Sequence, residues 1–118
     1  MKPYSESCER NQEPILKILQ ETLTNQQRVL EIASGTGQHA VYFGRALSHL
    51  SWQTSELAQN KEGILAWLNE TKLANVLPPI TIDVNDTQWP IEIVDTVFNA
   101  NTVHIISWSE VEHEYLRG

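Results

Sequence analysis

The nine residues Val29-Leu30-Glu31-Ile32-Ala33-Ser34-Gly35-Thr36-Gly37 constrain this chain more than any other segment. Val29 to Ala33 is short and mostly apolar, the pattern of a buried strand, and Ser34 to Gly37 is a turn. Ala40, Phe43, Leu47 and Leu50 then recur at helical spacing and mark one face of a helix. A strand that reverses into a helix through two glycines brings backbone close to whatever lies beyond the strand. Glycine permits both the unusual dihedrals and the close approach. The helix start at Gln38 points its free N–H groups into the same space.

The rest of the chain repeats this alternation. Pro14 is expected in the first turn of an opening helix, where its missing N–H costs nothing. Ile15, Leu16, Ile18, Leu19 and Leu23 are expected to bury one face of that helix. Trp52 to Ser55 reads as a second strand ending at Glu56, and Lys61 to Asn69 as a helix carrying Ile64, Leu65 and Leu68. Pro78-Pro79 separates this part from a third strand, Ile80 to Ile82, ending at Asp83. Asp86 to Pro90 is a loop, Ile93 to Phe98 a fourth strand, and Ser107-x-x-Glu110 and Ser109-x-x-Glu112 open a terminal helix. The reading is one α/β domain over residues 1–118 with a largely parallel sheet and helices on both faces. Ligands of such sheets bind beyond the carboxyl ends of the strands. That directs attention to Ser34 to Gly37, Glu56, Asp83 and Asn99 to His104.

Bulk properties remove several partners. The net charge is −7 with eight basic residues scattered along the chain, which counts against nucleic acid or an anionic membrane surface. The amino terminus lacks the apolar core of a signal peptide, and no apolar run approaches the roughly 20 residues of a membrane helix. The expected location is the cytoplasm. Cys8 is the one cysteine, so a thiolate zinc site and an intrachain disulfide are excluded. His39, His49, His104 and His113 lack metal-ligand spacing, and no metal is expected.

Three readings of the glycine turn compete. It can be a bare connection; a lone G-x-G is weak. Gly35-Thr36-Gly37-Gln38-His39-Ala40 also satisfies G-x-G-x-x-A, a form of the dinucleotide fingerprint. Glu31, four residues before Gly35, fits that fingerprint poorly, because a carboxylate inside a strand is costly unless donors or a cation satisfy it. A ligand with an ammonium group, or hydrogen bonds to the turn, meets that requirement. Glu56, 19 positions after Gly37, suits ribose hydroxyls in either nucleotide reading. Asp83 has no place in the dinucleotide fingerprint, but can accept from an adenine amino group. The three acids, one per strand, favour S-adenosylmethionine over NAD.

With those residues in place the chain resembles the small class I S-adenosylmethionine-dependent methyltransferases grouped with methyltransferase-like protein 26, long catalogued as a domain of unknown function. The resemblance runs through Cys8-Glu9-Arg10-Asn11, Pro14-Ile15-Leu16, Leu30 to His39, Trp52-Gln53 with Glu56, and Asp83-Val84 with Trp89-Pro90. It continues in Asn99-Ala100-Asn101 and His104-Ile105-Ile106-Ser107-Trp108. It implies a Rossmann-like fold and S-adenosylmethionine as cofactor. Glu31, Ala33, Ser34, Gly35 and Gly37 would cradle its methionine portion, Glu56 the ribose and Asp83 the adenine edge, with Asn99 in the same cofactor-binding set. Ala33 stands where many methyltransferases have glycine.

Residues after the fourth strand should lie nearest the methyl group of a class I cofactor. Asn101 can hold a polar nucleophile through its amide oxygen, and His104 can remove a proton near neutral pH, or simply be bonded locally in a loop. His39 is read as structural or as a cofactor contact. Arg10 and Asn11 suit either a lid or the approach to the first helix, and Trp89 either adenine or packing. The acceptor is a small molecule that the resemblance does not identify.

A full class I sheet has seven strands, and four are legible here, in the expected order 3-2-1-4. The chain therefore reads as the N-terminal, cofactor-binding part of such a fold, truncated at its carboxyl end. Its fourth strand would be an exposed apolar edge open to self-association.

Overall fold

A computed structural model describes residues 4–83, 94–100 and 104–107. Its elements are α1 (Glu6–Thr22), β1 (Gln27–Glu31), α2 (Gln38–Ala46), β2 (Leu50–Glu56), a 3₁₀ turn (Ala58–Asn60), α3 (Lys61–Thr71), β3 (Val76–Thr81), β4 (Thr96–Asn99) and β5 (His104–Ser107). The strands form one sheet in the order β3-β2-β1-β4-β5. The first four are mutually parallel, so the expected order 3-2-1-4 is present and flanked by helices. No helix among the described residues is long and apolar enough to cross a membrane.

The fifth strand overturns the exposed edge expected at the fourth. β5 pairs antiparallel with β4, setting Asn99 opposite His104 and Thr96 opposite Ser107. A short hairpin supplies the ladder partners that a parallel crossover would have supplied from farther along the chain. Ser107, expected as a helix cap, ends this strand instead; Glu110, Ser109 and Glu112 lie outside the described residues. The fourth strand is also shorter than Ile93 to Phe98. Before it, Asp95 Oδ2 accepts the Arg28 N–H (2.8 Å), and the Asp95 N–H bonds the Arg28 carbonyl.

Two other boundaries move for physical reasons. The opening helix begins at Glu6, not near Pro14. Ser5 is its N-cap, accepting the Cys8 N–H on its hydroxyl (3.2 Å), with Glu6 and Glu9 in the first turn. Pro14 therefore sits inside α1, on its exposed side. There the carbonyl deprived of its usual donor is on the solvent face of the helix.

The third strand runs through Pro78-Pro79. β3 is an edge strand, where proline is tolerated. The register against β2 shifts between Gln53 and Ser55, so two prolines face one residue. Side chains of β2 make up the ladder: Gln53 Nε2 donates to the Pro78 carbonyl (2.7 Å) and Thr54 Oγ1 to that of Leu77 (2.8 Å).

The larger core joins α1 and α2 to the sheet through Leu19, Phe43, Trp52 and Phe98, with Leu68 of α3 packed against it. Phe43, Trp52 and Phe98 lie with ring centroids 5.7–6.0 Å apart in tilted and edge contacts. A second cluster gathers Leu30, Ile32, Ile82, Val94 and Val97. Alternation along β1 separates the two, Val29 in one and Leu30 in the other. Leu50, expected on α2, begins β2 and is buried, whereas Ile18 and Leu65, counted with apolar helix faces, are exposed.

Candidate functional site

The turn after β1 is held by hydrogen bonds to the end of β2. The Ser34 N–H donates to the Ser55 carbonyl (2.8 Å), and the Ser55 N–H donates to Ser34 Oγ (3.0 Å). Ser55 Oγ closes the knot by donating to the Glu31 carbonyl (2.5 Å). Glu56 Oε2 accepts the Gly35 N–H (2.9 Å) and its Oε1 the Leu57 N–H (2.8 Å). A carboxylate at the end of β2 thus fixes the glycine turn. Each oxygen retains a lone pair for a further donor.

The two glycines have different tasks. Gly35 has φ +63°, and a Cβ there would meet nothing within 4 Å. It is exposed and lines a cavity. Gly37 has φ +91°, and its added Cβ would come within 2.9 Å of the Ile64 Cα. It serves the approach of α2 to α3 and is not among the residues lining the cavity. Ala33 also takes a left-handed conformation, φ +53°, which an L-residue adopts at a cost.

The cavity, of about 360 Å³, lies at the carboxyl ends of β1 and β2. It brings together Glu31, Ala33, Ser34, Gly35 and Glu56 from the expected set. Its other wall comes from Ser5, Ser7, Cys8 and Asn11 of the α1 amino end, with Thr36, His39 and Ala100. A direct bond ties that end of α1 to α2, the Ser5 N–H donating to Gln38 Oε1 (2.8 Å). Thr36 falls within the stretch Ser34 to Gly37 that the sequence points to, whereas Ser5, Ser7 and a wall position for Cys8 are additions. The signal available was Ser5 followed by acids at Glu6 and Glu9, a helix start that carries the Cys8 motif to the turn. Of the two suggested lid residues, Asn11 lines this cavity, whereas Arg10 faces an outer groove and donates to Ser7 Oγ (3.2 Å).

Asp83 and Asn99 follow β3 and end β4, and neither is among the cavity-lining residues. Asn99 Nδ2 reaches the Ile32 carbonyl at 3.5 Å. Asn101, Val84, Trp89 and Trp108 lie outside the described residues, as does the side chain of His104; its backbone pairs with Asn99.

Electrostatically the cavity is acidic. Glu31 is 1 % exposed and accepts the Trp52 indole N–H (3.1 Å). Burial raises its pKa from 4.5 to about 7; bonds from Trp52 and Ser34 oppose the rise, and the Glu56 charge adds to it. His39 stacks on Phe43 (5.0 Å, 6°), and burial pushes its pKa down. Its Nδ1 is buried without a hydrogen-bond partner. No lysine or arginine is among the described residues lining the cavity.

A family model described as "Protein of unknown function (DUF938)" matches residues 2–118. The chain belongs to the DUF938 family. Its fold is that of class I methyltransferases. It is similar to the S-adenosylmethionine-dependent methyltransferase SibL (TM-score 0.67, 22 % identity, covering 78 % of this chain and 26 % of SibL). It is also similar to coclaurine N-methyltransferase bound to N-methylheliamine and S-adenosylhomocysteine (0.62, 18 %, 84 % and 30 %). A third similar fold is precorrin-6y C5,15-methyltransferase from Geobacter metallireducens (0.57, 15 %, 75 % and 46 %). This DUF938 chain thus spans less than half the length of each.

Proposed function

We propose that this DUF938 chain binds S-adenosylmethionine in the cavity beside the glycine turn and forms the cofactor-binding part of a methyltransferase acting on a small acceptor in the cytoplasm. The observation that carries this is charge. Two buried carboxylates, Glu31 and Glu56, border a cavity that has no lysine or arginine among its described lining residues. A pyrophosphate would meet repulsion there, whereas an ammonium and a sulfonium meet attraction. The motif order along the chain supports placing it with the methyltransferase-like protein 26 group.

The residues present suit the group. Glu31 would take the ammonium, Glu56 the ribose hydroxyls on its free lone pairs, and the bare backbone at Gly35 would allow close approach. Asp83 remains assigned to adenine, and Gly37 to the shape of the turn. When bound, S-adenosylmethionine supplies an electrophilic methyl group for in-line transfer. The chain contributes proximity and orientation. Asn101 and His104 are assigned to the acceptor, as amide holder and proton acceptor; both belong to the connection and strand that follow the carboxyl end of β4.

Calorimetry with S-adenosylhomocysteine and with NAD tests the reading. S-adenosylhomocysteine should bind, and Gly35→Val should abolish it by filling the cavity mouth. Binding of NAD alone would overturn the proposal. A module that binds without catalysis is the second reading. Methylated product from labelled cofactor and candidate acceptors separates the two.

A further inference from the structure

A cofactor with an amino-acid end brings a carboxylate as well as an ammonium into this acidic cavity. The usual partner of a carboxylate, arginine, would here be captured by Glu31 and Glu56 before any ligand arrived. The turn offers little in its place. The Gly35 N–H is given to Glu56, the Gly37 N–H to the Ser34 carbonyl, and the Gln38 N–H to Thr36 Oγ1. Neutral side-chain donors that line the cavity can complement what the turn retains.

We infer that His39 and Asn11 together form the carboxylate-binding subsite for the amino-acid end of the ligand, each as a neutral hydrogen-bond donor. Both line the cavity, Asn11 from α1 and His39 from α2. The Asn11 amide is exposed and has no hydrogen-bond partner among the described residues. His39 is 8 % exposed and fixed by its stack on Phe43, so its ring presents one orientation.

The orphaned Nδ1 identifies the tautomer. A proton on Nδ1 would bury an unpaired N–H, while a proton on Nε2 leaves only a bare lone pair at Nδ1, the less costly defect. Nε2–H is then the donor left for the cavity. Burial keeps the ring neutral, so it donates one proton without adding a cation for Glu31 or Glu56 to seize. The arrangement divides a zwitterion: acids for the ammonium, neutral donors for the carboxylate.

This inference rests on the S-adenosylmethionine reading, and its test separates the two. S-adenosylmethionine and its decarboxylated analogue differ by the carboxylate alone. Acidic surroundings without a carboxylate subsite would favour the analogue, which carries more positive charge. The chain should instead bind S-adenosylmethionine about tenfold more tightly, the worth of a hydrogen bond to a charged group. In His39→Phe, which keeps the stack on Phe43, and in Asn11→Ala, a surface change on α1, that ratio should fall toward one while the analogue's affinity stays within twofold. A ratio unchanged in both variants, or a native preference for the analogue, overturns the subsite. Failure of the native chain to bind either compound overturns the cofactor reading itself.

Discussion

Trp52 on β2 and Glu31 at the end of β1 stand together on one face of the sheet, the indole N–H donating to the carboxylate at 3.1 Å with both side chains out of solvent. Neutral donors do not fully compensate a buried charge. The carboxyl therefore titrates near 7 instead of 4.5. Below about pH 4.5 it is protonated in the folded and the unfolded chain alike. Between there and about 7 the unfolded chain releases a proton that the folded chain keeps. Stability should accordingly fall as pH rises through this window, by on the order of 3 kcal/mol, and stay at the lower level above it. Urea titrations at pH 5 and pH 8 measure the difference. Glu31→Gln keeps an acceptor for Trp52 and should remove most of it. An equal slope in the variant would mean that another group carries the dependence.

Gly35 and Gly37, two residues apart, should respond very differently to the same methyl group. Gly35→Ala places its Cβ in open space and costs only the left-handed backbone, about 1 kcal/mol. Gly37→Ala pays that and also drives a methyl against the Ile64 Cα on α3, so about 2–4 kcal/mol is expected. Denaturant midpoints compare them directly. Comparable losses at the two positions would refute the division of labour between an open turn and a helix contact.

The same division shows what a linear reading can reach. The order of the four parallel strands was legible, because the glycine turn and the alternation of apolar runs are local signals. Glu56 was legible at the end of its strand, whereas Glu31, read inside the strand Val29 to Ala33, ends β1. The purpose of Gly37 was not, since Ile64 meets it only through tertiary packing. Pro78-Pro79 looked like a boundary because the missing N–H groups forbid a central strand, and edge position is a property of the whole sheet. β5 was hidden because its four residues resemble a loop between a strand and a cap until β4 is there to pair with them. The wall from Ser5 to Asn11 was obscured by Pro14, a stronger helix-start signal than the serine that caps α1.

Ala33 carries the clearest unrelieved strain at the site. Its φ of +53° lies in the left-handed region, its side chain is exposed, and the turn around it is fixed by Ser34, Ser55 and Glu56. An L-residue held there costs about 1–2 kcal/mol, and glycine removes that cost while adding some unfolded-state entropy. Ala33→Gly should therefore stabilise the fold by about 0.5–1 kcal/mol, a gain rarely expected from glycine. Thermal and urea unfolding of the variant measure it. The same substitution removes a methyl group from the cavity wall, so S-adenosylhomocysteine affinity should be retained or rise modestly. A loss of stability would show that Ala33 is held by contacts that outweigh its backbone strain.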